Sequence, residues 1–290
     1  MLSVFPSSFV PCRVVLGAKA GVFAAVLAGF AVSGSVAHAQ AEGLVARYSV
    51  NLMGFSLGDA TLTGKFGPDA YSVQAYAKLS GLAQAVTGAK GAARSSGGIR
   101  NGKLAPSGYA TTSSNSRETR TVRMGMAAGN VRAVHISPPI PDRPGRVPLN
   151  ASHQRNIIDP LSALVFPAAA NAALDGQSAC NRRLPVFDGY TRFDVTLRYA
   201  GTRMVNAKGY RGQVFVCKAR YTPIAGHRPD RQATKFMVSN NKMEVWLAPM
   251  QKAHAFAPFR IAVNTMAGML EIKARSFVMA GEAPTATVTR

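Results

Sequence analysis

Arg192-Phe193-Asp194-Val195-Thr196-Leu197-Arg198-Tyr199 carries the clearest fold signal in the chain. Phe193, Val195, Leu197 and Tyr199 alternate with Arg192, Asp194, Thr196 and Arg198. A period of two residues sends successive side chains to opposite faces of a strand, one toward a core and one toward water. Buried parallel strands read as continuous apolar runs, so alternation points to antiparallel pairing.

The same period recurs outward from this segment. Tyr48, Val50 and Leu52 alternate with Arg47, Ser49 and Asn51, and Tyr71, Val73, Ala75 and Ala77 with Ser72, Gln74, Tyr76 and Lys78. Leu270, Ile272, Ala274 and Val278 are set against Glu271, Lys273 and Arg275. Turn formers punctuate the runs at Gly67-Pro68-Asp69, Asn101-Gly102, Gly129-Asn130, Ala200-Gly201, Asn240-Asn241 and Ala267-Gly268. Each offers a residue that tolerates positive φ or favours a tight turn. Helix is scarce: one candidate spans Ser80 to about Thr87. Another opens at Asp159-Pro160, an N-cap followed by proline in the first helical position, with Leu161, Leu164 and Val165 on its apolar side. The expected fold is mainly β, a long antiparallel meander of about ten to twelve strands with one or two short helices. Twist curls such a sheet into an open or half-closed barrel.

Residues 1–39 read as an export signal. Arg13 and Lys19 precede a small and apolar stretch from Gly21 to Val36, and Ala37-His38-Ala39 is a small-x-small cleavage triplet. Cleavage is expected between Ala39 and Gln40, which removes Cys12 and places the product in the periplasm. One β-rich domain over 40–280 is then expected, with a proline-rich surface loop at about 137–148 and a loose tail over 281–290. Cys180 and Cys217 remain, and two cysteines in an oxidising compartment most often pair. A metal site is the competing reading, but neither C-x-x-C spacing nor a matching histidine accompanies them.

The net charge is +21, and loss of Arg13 and Lys19 leaves +19. Such a balance favours anionic partners. Export argues against nucleic acid and leaves envelope proteins, acidic cell-wall polymers and anionic lipid, with peripheral membrane contact among the options. The charges are scattered, with no polybasic run.

The second half carries an ordered set of phrases: Cys180, Leu184-Pro185-Val186-Phe187-Asp188-Gly189, Arg192-Phe193-Asp194, Tyr210-Arg211-Gly212, Val216-Cys217 and Tyr221-Thr222-Pro223-Ile224-Ala225-Gly226. Val245-Trp246-Leu247-Ala248-Pro249 and Pro258-Phe259-Arg260-Ile261 close it, and Tyr48-Ser49-Val50 with Gly54 and Gly58 opens the chain in the same style. Together they resemble an exported proteobacterial family of unknown function. The resemblance implies an envelope location, a β-rich fold broadly like the curled sheets of the LolA/LolB lipoprotein carriers, and no assigned catalytic residues.

No catalytic constellation stands out. There is no Gly-x-Ser-x-Gly elbow, and His135, His153, His227 and His254 sit in unrelated contexts without metal or catalytic spacing. Asp188 and Asp194 are near each other, but Asp188 before Gly189 fits a turn and Asp194 beside Arg192 and Arg198 fits an ion pair. No cofactor or metal is expected. Trp246, which shares a strand face with Glu244 opposite Met243, Val245 and Leu247, is a candidate partner contact. Arg117 and Arg123 are two more, placed by period on one strand face with Arg120 on the other. The leading functional expectation is a non-catalytic envelope protein that holds a protein or cell-wall partner. The alternative is a carrier of lipid or lipoprotein tails with an apolar groove, and an uncharacterised hydrolase stands behind both.

Overall fold

The structure, a computed structural model, describes residues 42–280 except residue 170. The export segment with its Ala39–Gln40 junction, and the tail over 281–290, lie outside the described residues.

One antiparallel sheet of fourteen strands dominates. The first meander comprises β1 (Glu42–Leu52), β2 (Phe55–Phe66), β3 (Ala70–Leu79), β4 (Lys90–Arg100), β5 (Lys103–Ser114), β6 (Thr119–Ala127) and β7 (Asn130–Ser137). The second comprises β9 (Arg182–Phe187), β10 (Arg192–Ala207), β11 (Tyr210–Ala225), β12 (Met243–Met250), β13 (Ala255–Thr265) and β14 (Gly268–Ala280). β1 pairs with β14, so the order runs from β7 to β1 and then from β14 to β9, while the two-residue β8 (Phe166–Pro167) pairs with β13 off this path. The sheet is the expected curled meander, left open between β7 and β9. Among the described residues there are fourteen strands against the ten to twelve expected, and three short α-helices against one or two: α1 (Gly81–Thr87), α2 (Gly176–Cys180) and α3 (Gln232–Ser239).

A strap of chain spans the gap between the two edge strands. The Ile157 N–H donates to the Gly129 carbonyl at 2.8 Å, in the turn before β7. The Ile158 N–H donates to Pro185 at 2.9 Å and the Phe187 N–H returns to Ile158 at 3.0 Å, both on β9. Edge strands expose unpaired donors and acceptors, and this covering segment occupies part of them. Asp159, directly after the strap, caps the Leu161 and Ser162 N–H groups at 3.0 and 2.9 Å, as its position before Pro160 predicts. The helix it opens is only a 3₁₀ turn over Ser162–Leu164.

Two expectations fail at bulges. Ala200-Gly201 is not a turn. β10 runs through it with a register shift between Tyr199 and Gly201, and Gly201 takes φ of 132°. Ala200 is the extra residue of the bulge, Gly201 beside it supplies the positive φ, and the hairpin closes later at Lys208-Gly209. Gly209 has φ of 87°, and a Cβ there would meet Val278 Cγ2 at 2.6 Å, so both its conformation and its surroundings require glycine. On β14 the register jumps from Ser276 opposite Arg47 to Ala274 opposite Tyr48, leaving Arg275 as an extra residue. Alternation therefore changes phase: Phe277 is fully buried, and Val278, expected inside, is exposed.

The leading segment on β10 is also corrected. Arg192 and Asp194, expected in water, are buried, while Phe193 and Val195 are only half-buried. The buried carboxylate is matched on both oxygens: Arg192 Nη1 lies 2.7 Å from Asp194 Oδ1, and Arg183 Nε donates to Oδ2 at 2.6 Å. Burial of a charge is tolerable only with such pairing.

The larger core cluster gathers Leu44, Tyr48, Leu62, Tyr71, Val73, Val122, Met124 and Phe277 among others. A smaller one surrounds the disulfide between Cys180 and Cys217, with Leu197, Phe215, Leu247 and Phe256. That bond ties the last residue of α2 to β11 and settles the choice between disulfide and metal left open by the cysteine count.

Candidate functional site

The second meander leaves part of its core face unfilled. Across β9, β10 and β11, Val195 stands opposite both Leu184 and Tyr221, and Leu197 opposite Ala219. Across β12 and β13, Val245 pairs with Ile261 and Met243 with Val263. These side chains form the floor of an apolar groove of about 260 Å³. Pro160, Ala163 and Leu164 from the segment after the strap, together with Met237 of α3, complete the lining. Phe193 and Tyr221 meet at its wall with ring centroids 5.3 Å apart.

The groove contains one charged lining residue, Glu244. Its carboxylate is already occupied, accepting from Lys218 Nζ at 2.6 Å and from the Trp246 indole N–H at 3.2 Å, with Arg260 at 3.4 Å. The Lys218 bond, above all, holds its pKa below the ordinary glutamate value. The carboxylate is thus held ionised and engaged with Lys218, Trp246 and Arg260. The lining is otherwise apolar apart from the Tyr221 ring with its hydroxyl.

α3 is positioned by polar bonds at its end. Arg220 donates to the Asn240 carbonyl at 3.2 Å, and Asn240 Nδ2 donates to Asn264 at 2.7 Å. None of its own residues is fully buried.

A family model described as a protein of unknown function, DUF3108, matches residues 47–275. The chain belongs to the DUF3108 family. The expected membership of a family of unknown function is met at that level. No curated protein matches this DUF3108 chain. Among solved structures, a β-barrel-like protein of another domain of unknown function, DUF1849, from Brucella abortus is similar at 9% identity. The match covers 83% of this chain and 98% of that chain, with a TM-score of 0.45.

Three candidate contact residues of this DUF3108 chain do not converge. Trp246 shares a face with Glu244, as period two requires, but Arg260 stacks on its ring at 4.6 Å and its N–H is taken by Glu244. It is half-buried in a polar knot. Arg123 is exposed on β6, and Arg117 precedes that strand in a turn where its N–H donates to Asn115 Oδ1 at 2.8 Å. Arg117 thus lies outside the strand that would have aligned it with Arg123. Arg94 and Arg123 instead flank Ala110, each opposite it in register, which puts them about 10 Å apart on the outer face. Arg120 points to the other face and pairs with Glu118 at 2.5 Å.

Asp188 and Asp194 do not meet as a catalytic pair. Asp188 accepts from the Tyr190 and Thr191 N–H groups at 3.0 and 2.7 Å, and burial raises its pKa despite these bonds. It organises the turn that Gly189 marks.

Sequence reading missed one polar cluster. Asp159 Oδ2 accepts from the Ser95 hydroxyl at 2.9 Å, the Ser95 and Ser162 hydroxyls are hydrogen-bonded at 2.8 Å, and Ser162 bonds the Tyr71 hydroxyl at 2.6 Å, all inside the curled sheet. Ser95 falls on the inward set of β4 among Gly, Ala and Ser residues, a composition without a readable core face.

Proposed function

We propose that this protein is a non-catalytic carrier that holds one slender apolar chain, such as a fatty acyl tail, in the groove over β9–β13. The observation that supports this most is the lining itself: side chains of six strands and α3 converge on a half-open channel with a single charge, already paired with Lys218. Its volume lies just below the ~300 Å³ at which pockets for drug-sized ligands begin, which fits one chain and not a multi-ring cofactor. The export pattern over 1–39 supports work in the periplasm, and the analogy with the LolA/LolB carriers implies the same use of a curled sheet.

Each methylene transferred from water contributes about 0.8 kcal/mol. Affinity for saturated fatty acids is expected to rise about four-fold per added carbon until the groove is full, then level off. Displacement of cis-parinaric acid measures this. Val195→Trp, which fills the floor, is expected to abolish binding while leaving the circular dichroism spectrum and melting temperature near wild type. A flat dependence on chain length, or binding indifferent to Val195→Trp, would sink the carrier reading.

A further inference from the structure

One end of the barrel carries a concentration of exposed large apolar side chains. Met53 is 65% exposed and Phe55 76% exposed, at the turn joining β1 and β2. Met266 is 54% and Met269 37% exposed, at the turn joining β13 and β14. The two turns are fastened together: the Met53 N–H donates to the Met269 carbonyl at 2.8 Å, and the Met53 side chain lies directly over Gly268. Single exposed apolar residues are ordinary, but four on two joined turns form a patch of the kind that marks an interaction site.

This patch adjoins the groove. Val263 and Met243 line the groove, and Met266 follows Val263 by three residues, in the turn just past the end of β13. Asn264 binds the neighbouring connection through its N–H to the Lys242 carbonyl at 3.0 Å. That connection brings the exposed Lys242 beside the turn, and the exposed Lys235 and Val238 lie on α3 just before it. The end therefore combines an apolar tip, flanking cations and one mouth of an apolar channel.

We propose that this end of the barrel seats on an anionic lipid bilayer, with Met53, Phe55, Met266 and Met269 entering the headgroup layer. Interfacial binding grows with inserted apolar area and with attraction between cations and anionic headgroups, and this end offers both. Lys235 and Lys242, the exposed charges named beside this end, are both cationic and so complement the headgroups of an anionic bilayer. The seat itself stands on the exposed tip, and only its purpose, passing a chain between bilayer and groove, rests on the function proposed above.

Co-sedimentation with vesicles of phosphatidylethanolamine and phosphatidylglycerol tests it. The wild type is expected to bind, and Phe55→Ser with Met266→Ser to weaken binding about ten-fold or more. Binding of soluble cis-parinaric acid should be unchanged in the same variant, which shows that it remains folded. Phe55→Leu with Met266→Leu should restore vesicle binding. Vesicle binding that is absent in the wild type, or equal in the serine variant, overturns the proposal. So does a tip that serves only to pair two copies, seen as a dimer that the serine variant dissociates without change in vesicle binding. Vesicle binding without parinarate binding would leave the seat standing and defeat the carrier reading alone.

Discussion

Asp159 is the residue where burial and charge conflict most sharply. It is fully buried, and its two oxygens serve two backbone N–H groups and the Ser95 hydroxyl. Burial raises its pKa more than those hydrogen bonds lower it. Unfolded, an aspartate titrates near about 3.9, so above that pH the unfolded chain releases a proton that the folded chain retains. The stabilising contribution is complete below the unfolded value and is lost as pH rises through the higher folded value. Asp159→Asn keeps an oxygen for the two N–H groups and carries no charge. It is expected to gain on the wild type as pH rises from about 4 to about 8 in urea unfolding. Asp159→Ala strands those donors and is expected to cost about 1–3 kcal/mol. A constant difference between wild type and the asparagine variant across that range would show that the carboxyl does not titrate differently in the folded state.

At the scale of elements, the disulfide and the bulges show how local devices shape a long sheet. α2 has only five residues, too short to hold itself, and is fixed by an Asp175 cap and by Cys180. The bond closes a separation of 37 residues, which includes all of β9 and β10 and the first half of β11. In the chain-entropy account such a loop constrains the unfolded state by about 3–4 kcal/mol. Cys180→Ala with Cys217→Ala is expected to lower stability by that amount in urea, with a larger m-value as the unconstrained unfolded chain expands. A loss under about 1 kcal/mol would mean that the packing of Phe166, Phe215 and Phe256 alone seats α2. The bulge at Arg275 acts differently: it rotates the end of β14 so that Phe277 joins Phe259 and Tyr210, with ring centroids 5.9 and 5.4 Å away. The reversal is invisible in the residues of β14 alone, because a bulge is a property of a pair of strands and depends on the register imposed by β1.

At the scale of the molecule, the class of the fold follows from strand period and turn chemistry: alternation such as Tyr71 and Val73 against Ser72 and Gln74 points to antiparallel strands, and short turns join neighbours into meanders. The closure does not follow from these. It depends on the strap at Ile157 and Ile158, whose backbone reaches both sheet edges although its residues carry no period of their own. The groove was legible only in half. The inward set Val195, Leu197 and Val245 is readable, but whether it meets a filled core or a channel depends on where Leu164 and Met237 come to rest, and that is decided by Asp159 and Asn240 far along the chain. The strap makes the closure testable. Ile157 is 4% exposed, and Ile157→Ala removes packing worth about 2–5 kcal/mol. If the strap is what holds the two edges together, the Ile158 and Phe187 amides should then exchange through a local opening, much faster than in the wild type. Amides at the β1–β14 pairing, far from the gap, should slow or quicken only with global stability. Uniform acceleration across the sheet would instead mean that strap and sheet unfold as one unit, and that the seam between β7 and β9 has no separate stability.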